Sequence, residues 1–393
     1  MLTITIGRTV GHNGYEAANL AASQALRMAG KAPPALAWII AAGGDRIEQV
    51  VQGATAALGD TPLIGFSTSA GLTAEGLLRR GVLVGLISGQ DLAAKAEWLA
   101  ELSTDSFATA RQMLAPLKPP KSSSGALFLI SDGFNGDSEE LCTSLTSEDS
   151  LVAGCLAWGD LASGRSYQIG GKNGGANGLA VALLTGKFKI GVGIGLGWQP
   201  VGAIVRVTRA KGQWVRSLDG HHAAEVYARL FGYPVREWSF PPLSQLVRLY
   251  PLGFDIEDNG EDESLPKRVR SPLLVEADGS LRMNTSIPGK NPAYILVSSV
   301  DNCMVAAKKA AQQALENLGT ARPALALIFA DAAWQTLLEA HPGSEIQAVR
   351  AVLGAEVPII GGYTYGQIYQ AKTGAPVELL NQHIQVILLG NTG

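Results

Sequence analysis

The chain is poor in cysteine, in aromatic residues and in charge. It has 3 cysteines in 393 residues, 6% aromatics and 17% charged residues. Cys142, Cys155 and Cys303 are odd in number, far apart and form no CxxC pair, which excludes a disulfide framework and a thiolate zinc site. Lys and Arg total 31 against 34 Asp and Glu, a net charge of −3. No basic surface for duplex DNA is implied, and no nucleic-acid partner is expected. Long apolar runs are missing too. The stretch 189–206 is glycine-rich, holds Gln199 and Pro200, and is shorter than the ~20 residues of a membrane helix. The start, Met1-Leu2-Thr3-Ile4-Thr5-Ile6-Gly7, lacks the basic-then-apolar pattern of a secretory signal. These absences predict a soluble, reduced, cytoplasmic protein without membrane contact. At 47% hydrophobic residues the chain has enough apolar surface for a large core, and its length suggests two or three domains.

Self-similarity is the strongest positive signal. Residues 22–41 read ASQALRMAGKAPPALAWIIA and residues 311–330 read AQQALENLGTARPALALIFA. Twelve of twenty positions match at an offset of 289, where ordinary composition gives roughly two. Thr61–Thr68 (TPLIGFST) then corresponds to Val357–Thr364 (VPIIGGYT), and Val82–Gly89 to His383–Gly390. Ile4–Ile6 and Tyr294–Val297 are short apolar runs that predict the first strand of each copy. Asn13 and Asp301 suit helix N-caps, and Gly30 and Gly319 suit helix stops. Leu36–Ala41 and Leu325–Ala330 are continuous apolar runs, the pattern of strands covered on both faces. After Pro342-Gly343, Ser344 with Gln347 reads as a capping box. Each copy therefore predicts β-α-β-α-β, a glycine loop and a further strand. A weaker third relative runs from Ala126–Ile130, through a helix capped by Asp137 with Glu140, to Ser150–Asp160.

The predicted fold class is α/β: mixed sheets covered by helices, with duplicated β-α-β-α-β units and an antiparallel hairpin region in the middle. Residues 116–124 (PLKPPKSSS) read as a connector. The glycines at 191, 193, 195 and 197 have period two, so a ligand or another backbone approaches one side of that strand. The spacing is not G-x-G-x-x-G, and no P-loop exists. Residues 201–207 and 213–215 read as a hairpin turning at Lys211-Gly212, 221–230 as a helix, and 257–270 (EDNGEDESLPKRVR) as a solvated loop.

These motifs, in this order, resemble the FIST family, with its N-terminal and C-terminal domains. The most specific run is 194–232, IGLGWQPVGAIVRVTRAKGQWVRSLDGHHAAEVYARLFG. LIGFSTSAG (63–71) resembles the family's first glycine loop and PIIGGYTYGQIY (358–369) its last. The resemblance covers nearly the whole chain and implies domains at 1–220 and 221–393. It implies a sensory module that binds a small molecule, an amino acid or related metabolite, and passes its signal to a separate output protein; a homodimer is left open. It implies no catalytic activity and no obligatory cofactor. Two positions depart from the family pattern. Ala330-Asp331-Ala332-Ala333-Trp334 replaces a Ser-Cys-x-x-Arg-like motif, and Gln367 replaces a Glu.

Sites in parallel α/β units form beyond the carboxyl ends of strands. That rule collects Ser67, Thr68, Asp132, Asp331, Trp334, Tyr363, Thr364 and Gln367 as candidate ligand-binding residues. Asp331 aligns with Ala42 and Trp334 with Asp45, so the two copies differ there. Asp331 suits a helix N-cap as well as a ligand contact, and Trp334 suits core filling as well as a ligand wall. Thr68 and Thr364 recur in both copies, which favours a shared turn role. For a zwitterionic amino acid, the carboxylate would meet N–H groups at a helix start. The ammonium would meet Asp331 or Asp132, and Trp334 or Tyr363 would cover the side chain. Two alternatives belong to other classes. One is an enzyme acting on a small metabolite through Asp331, Asp132 or Ser67; the other is a haem-based gas sensor with His12 as axial ligand. A nucleophilic Ser67 is disfavoured by its G-x-S-x-S-x-G frame. Cys155 sits in an apolar strand that raises its pKa, whereas Cys303, at a helix start, is placed to have it lowered.

Overall fold

The computed structural model describes residues 1–12, 14–44, 46–100, 124–145, 149–240, 243–258, 264–287 and 291–392. Apolar runs covered on both faces dictate four layers, with helices outside two sheets that face each other. Along Pro34–Ala42, Leu36, Trp38 and Ile40 point between the sheets, while Ala37, Ile39 and Ala41 pack under the helices Gly14–Ala29 and Ile47–Leu58. Arg322–Asp331 repeats this. Leu325, Leu327 and Phe329 point inward, and Ala326, Ile328 and Ala330 lie under Val300–Leu318 and Ser344–Leu353. The inter-sheet core is aromatic. Trp38 lies 5.1 Å from Phe128 and 5.8 Å from Phe329, and Phe66 lies 5.5 Å from Phe329, ring centre to ring centre. These side chains are fully buried and join the two halves.

The first sheet has the order Thr3–Arg8, Gly81–Ser88, Pro34–Ala42, Leu63–Thr68, Arg165–Gly171, Gly159–Asp160. The second runs Lys189–Leu196, His383–Asn391, Arg322–Asp331, Ile359–Gln370, Leu151–Ala157, Ser124–Ser131, Gly178–Gly186, Leu92–Ala100. The predicted duplication is visible as identical pairing. Pro34–Ala42 and Leu63–Thr68 are parallel, as are Arg322–Asp331 and Ile359–Gln370, with Ala42 opposite Thr68 and Asp331 opposite Thr364. The middle relative has the same parallel pair, Ser124–Ser131 with Leu151–Ala157. One glycine marks all three. A Cβ on Gly65, Gly154 or Gly361 would fall 1.8–1.9 Å from the carbonyl of Ile39, Leu129 or Ile328 opposite it, so only glycine fits.

One equivalence differs from expectation. Pro292–Val297 is a strand but joins the third sheet, against Gln199–Lys211. The partner of Thr3–Arg8 by position is Lys189–Leu196. It borders His383–Asn391 as Thr3–Arg8 borders Gly81–Ser88. Its glycines are explained by a backbone, not a ligand. A Cβ at Gly191, Gly193 or Gly195 would lie 2.0–2.2 Å from the carbonyls of Ala314, Ala310 and Ala306 on helix Val300–Leu318.

The third sheet, Ser264–Arg270, Leu252–Asp258, Pro292–Val297, Gln199–Lys211, Trp214–Leu218, Leu281–Met283, Pro272–Val275, packs on helix Ala223–Phe231. The predicted hairpin at Lys211-Gly212 is present. Of the stretch expected as a solvated loop, residues 257–258 and 264–270 instead pair as antiparallel strands, buried Arg270 is ion-paired with Glu139, and 259–263 lie outside the described residues. Asp137 caps its helix as predicted. Asp301 does not, because Ser299 takes the cap on the Asn302 N–H. The box at Ser344 does not form, and a left-handed Gly343 precedes that helix. Asn13, Asp45 and the 116–123 connector lie outside the described residues.

Candidate functional site

The strand ends of all three repeats meet along one rim. The Ser67 hydroxyl donates to the Trp158 carbonyl (2.6 Å) and accepts from the Tyr167 N–H (3.0 Å). The Thr68 hydroxyl donates to the Tyr363 carbonyl and accepts its N–H, both at 2.9 Å, which stitches the two copies together. Thr364 accepts from Gln367 (3.0 Å) and donates to the Ala330 carbonyl (3.3 Å). Asp132 is buried, and its carboxylate accepts from six donors: the Phe134, Asn135 and Asn177 N–H groups, the Asn135 and Gln168 amides, and the Ser166 hydroxyl. These polar groups are consumed in holding loops.

Asp331 is spent in the same way. It accepts from the Ala333 N–H (3.0 Å), capping the helix Ala332–Leu337, and from the Gln382 N–H (2.9 Å). Gln382 has a positive φ of 65°, so the carboxylate holds a strained turn in place. Burial pushes the Asp331 carboxyl up to about 6, against the pull of its two N–H donors and Arg248. Trp334 is fully buried, donates to the Gln382 carbonyl (2.9 Å) and lies 6.1 Å from Trp198. It is a core side chain.

Tyr363 is different, because it lines a cavity. The cavity holds about 300 Å³ and is bordered by Leu77 and Arg79 of the first copy, by Gln335, Thr336, Leu338, Glu339, Pro342 and Tyr363 of the second, and by Leu246 of the intervening segment. Two devices place the first copy's lip there. The Arg350 guanidinium donates to the Ala74 carbonyl (2.9 Å), and the Ser69 hydroxyl donates to the Gln335 side-chain oxygen (2.5 Å). Behind the wall, the Tyr363 hydroxyl donates to Glu345 Oε1 (2.5 Å), while Oε2 is buried without a partner among the described residues. Burial raises both groups above their ordinary values, and the Glu345 charge adds to the rise at Tyr363. The floor, Tyr363, is therefore backed by a buried carboxyl that does not itself line the cavity. The mouth carries one exposed cation, Arg79, and one exposed anion, Glu339.

Of the eight sequence-selected residues, the cavity takes Tyr363 alone. Arg79, Gln335, Glu339 and Glu345 were not selected. The Pro342-Gly343 break, whose proline lines the cavity with Tyr363, was the available signal. The thiols offer no nucleophile at this rim. Cys142 and Cys155 are buried and pushed up by desolvation. At Cys303 burial outweighs the Ser298 hydroxyl and pushes the thiol up to about 12, so its place near a helix start does not activate it. His12 is half exposed and 3.7 Å from Glu16.

The FIST N domain pattern matches residues 35–221 and the FIST C domain pattern residues 223–370. The chain belongs to the FIST family. FIST domains are small-ligand-binding sensors of signal transduction. No curated protein matches the chain in sequence. Among solved structures it is similar to a cyanuric acid hydrolase from A. caulinodans, at 11% identity over 47% of this chain and 71% of that one, with a TM-score of 0.27. It is also similar to PurLQS from Thermotoga maritima, at 12% identity over 99% and 73%, with a TM-score of 0.24. Phosphoribosylformylglycinamidine synthase II from the same organism gives 13% identity over 99% and 72%, with a TM-score of 0.24. Likenesses at that level say nothing of this chain's chemistry. Among the described residues no helix is long and apolar enough to cross a membrane, and no cluster of His, Cys, Asp and Glu is arranged for a metal.

Proposed function

We propose that this FIST protein senses an amino acid or a closely related zwitterion in the cavity between its two copies. The observation that carries the reading is one small hollow with opposite charges at its mouth. Arg79 presents a fork of N–H donors suited to a carboxylate, and Glu339 suits an ammonium. Leu77, Leu338, Leu246 and Pro342 would take an aliphatic side chain, and Gln335 and Thr336 its polar atoms. About 300 Å³ is the lower end of small-ligand pockets, which fits a single amino acid better than a nucleotide or haem. The lip and floor come from different copies, so a bound ligand bridges them. That gives a route from occupancy to a separate output protein.

A thermal-shift screen over the common amino acids tests this, because a ligand that prefers the folded state raises the melting temperature. One or a few amino acids should stabilise the chain, and Arg79→Ala should remove the effect. Stabilisation by none of them removes the amino acid. Conversion of a stabilising compound to a new product, followed by mass spectrometry, moves the protein to the enzymes.

A further inference from the structure

We propose a second ligand site, for a nucleoside phosphate, on the outer face of the third sheet. Strand Trp214–Leu218 alternates, with Trp214 and Arg216 exposed and Val215 buried. Register places Lys211 opposite Trp214 on one side and Arg282 opposite it on the other. The Arg282 guanidinium lies 6.0 Å from the centre of the indole, and 41% of Trp214 stays exposed. A half-exposed tryptophan between two cations is a platform for a flat base.

Two hollows adjoin there. The wider, about 750 Å³, is lined by Trp214, Lys211 and Glu276. The narrower, about 330 Å³, is lined by Arg209, Arg216, Ser217, His221 and His222. They share Arg216, Asp278 and Ser280. The narrow one gathers two guanidiniums, two imidazoles and a hydroxyl from three strands, at the start of helix Ala223–Phe231, whose dipole also favours an anion. Its one carboxylate, Asp278, accepts the Ser280 N–H (2.9 Å) and hydroxyl (2.5 Å), and these bonds with Arg216 nearby hold it below the usual range. Its Oδ1 is thus already engaged by Ser280. His221 is 4.0 Å from Glu225, outside the narrow hollow's lining. Phosphate belongs in the narrow hollow and the base on Trp214. Glu276, which lines only the wider hollow, suits a ribose hydroxyl or a base amino group.

Isothermal titration with AMP, adenosine and inorganic phosphate tests the assignment. AMP should bind saturably and more tightly than either fragment, and phosphate should compete with it. Arg209→Ala with Arg216→Ala should weaken AMP by about tenfold or more, and Trp214→Ala by about tenfold. Arg79→Ala should leave AMP binding unchanged. These side chains are exposed, and unaltered melting of each variant shows that it folds. No saturable heat with AMP overturns the proposal. So does AMP binding that survives the arginine variant, or phosphate binding as tight as AMP that ignores Trp214→Ala.

Discussion

The two copies of the repeat share a register and differ at one strand end. Ala42 stands opposite Thr68 in the first copy and Asp331 opposite Thr364 in the second. The first copy turns away through Gly43 and Gly44, both at positive φ, and pins Gly43 N–H on the Thr68 carbonyl (3.3 Å). The second puts a carboxylate there to hold a helix start and the Gln382 turn. The first copy's strand Thr3–Arg8 sets one glycine against its helix, Gly7 against Ala21. The strand beside the second copy's helix sets Gly191, Gly193 and Gly195 there. The second copy is thus the more tightly fixed, while the first supplies the lip with Arg79. The comparison shows how duplication leaves one copy to hold a wall and the other to close over it.

Four tests break or sharpen that contrast. The largest effect belongs to Gly193→Ala, whose Cβ would lie 2.0 Å from the Ala310 carbonyl. Overpacking against backbone that cannot give should cost about 3 kcal/mol or more, read by urea unfolding. A melting temperature within a few degrees of wild type would show that the helix retreats freely. Next, Asp331→Ala should cost about 2 kcal/mol, because two buried N–H groups lose a charged acceptor. Ala42→Ser, at the matching position, should cost clearly less. Equal losses would erase the asymmetry.

Third, pH should act through Asp331. Its folded carboxyl titrates near 6, against 3.8 for the ordinary group. Between those values the folded chain keeps a proton that the unfolded chain has released, so this group's contribution to stability falls as pH rises from about 4 to 6 and is level above. Wild type should therefore gain on Asp331→Asn as pH drops from 6 to 4 in paired denaturation curves. A pH-independent difference would place the charge elsewhere. Smallest in stability is Arg79→Ala, an exposed side chain that should shift unfolding by no more than about 0.5 kcal/mol. Its effect is expected in calorimetric titration, as weaker amino acid binding.

Local physics made much of this fold legible. Doubly covered strands read as unbroken apolar runs, as in Leu36–Ala41 and Leu325–Ala330, and the repeated Gly65 and Gly361 mark the same crowded register. The Asp331 cap and the inert Cys155 followed from residue type and context. What failed to show were relations made by distant pairing. Nothing near residue 189 says that its strand completes the second copy, while Pro292–Val297 leaves for the third sheet. The cavity was hidden for the same reason. Arg79 and Glu339 read singly as solvated charges, and only the docking of residues 69–79 on the second copy makes them neighbours of one hollow. Candidate polar residues at strand ends were chosen by type, whereas Asp132 and Asp331 turn out to hold the loop after their own strand to a neighbouring segment.

The most direct test of the inter-copy site is a crystal structure grown with the amino acid that raises the melting temperature most. The account predicts density in the 300 Å³ cavity, with the carboxylate on Arg79 and the ammonium toward Glu339. An empty cavity, with that amino acid ordered elsewhere on the molecule, contradicts it.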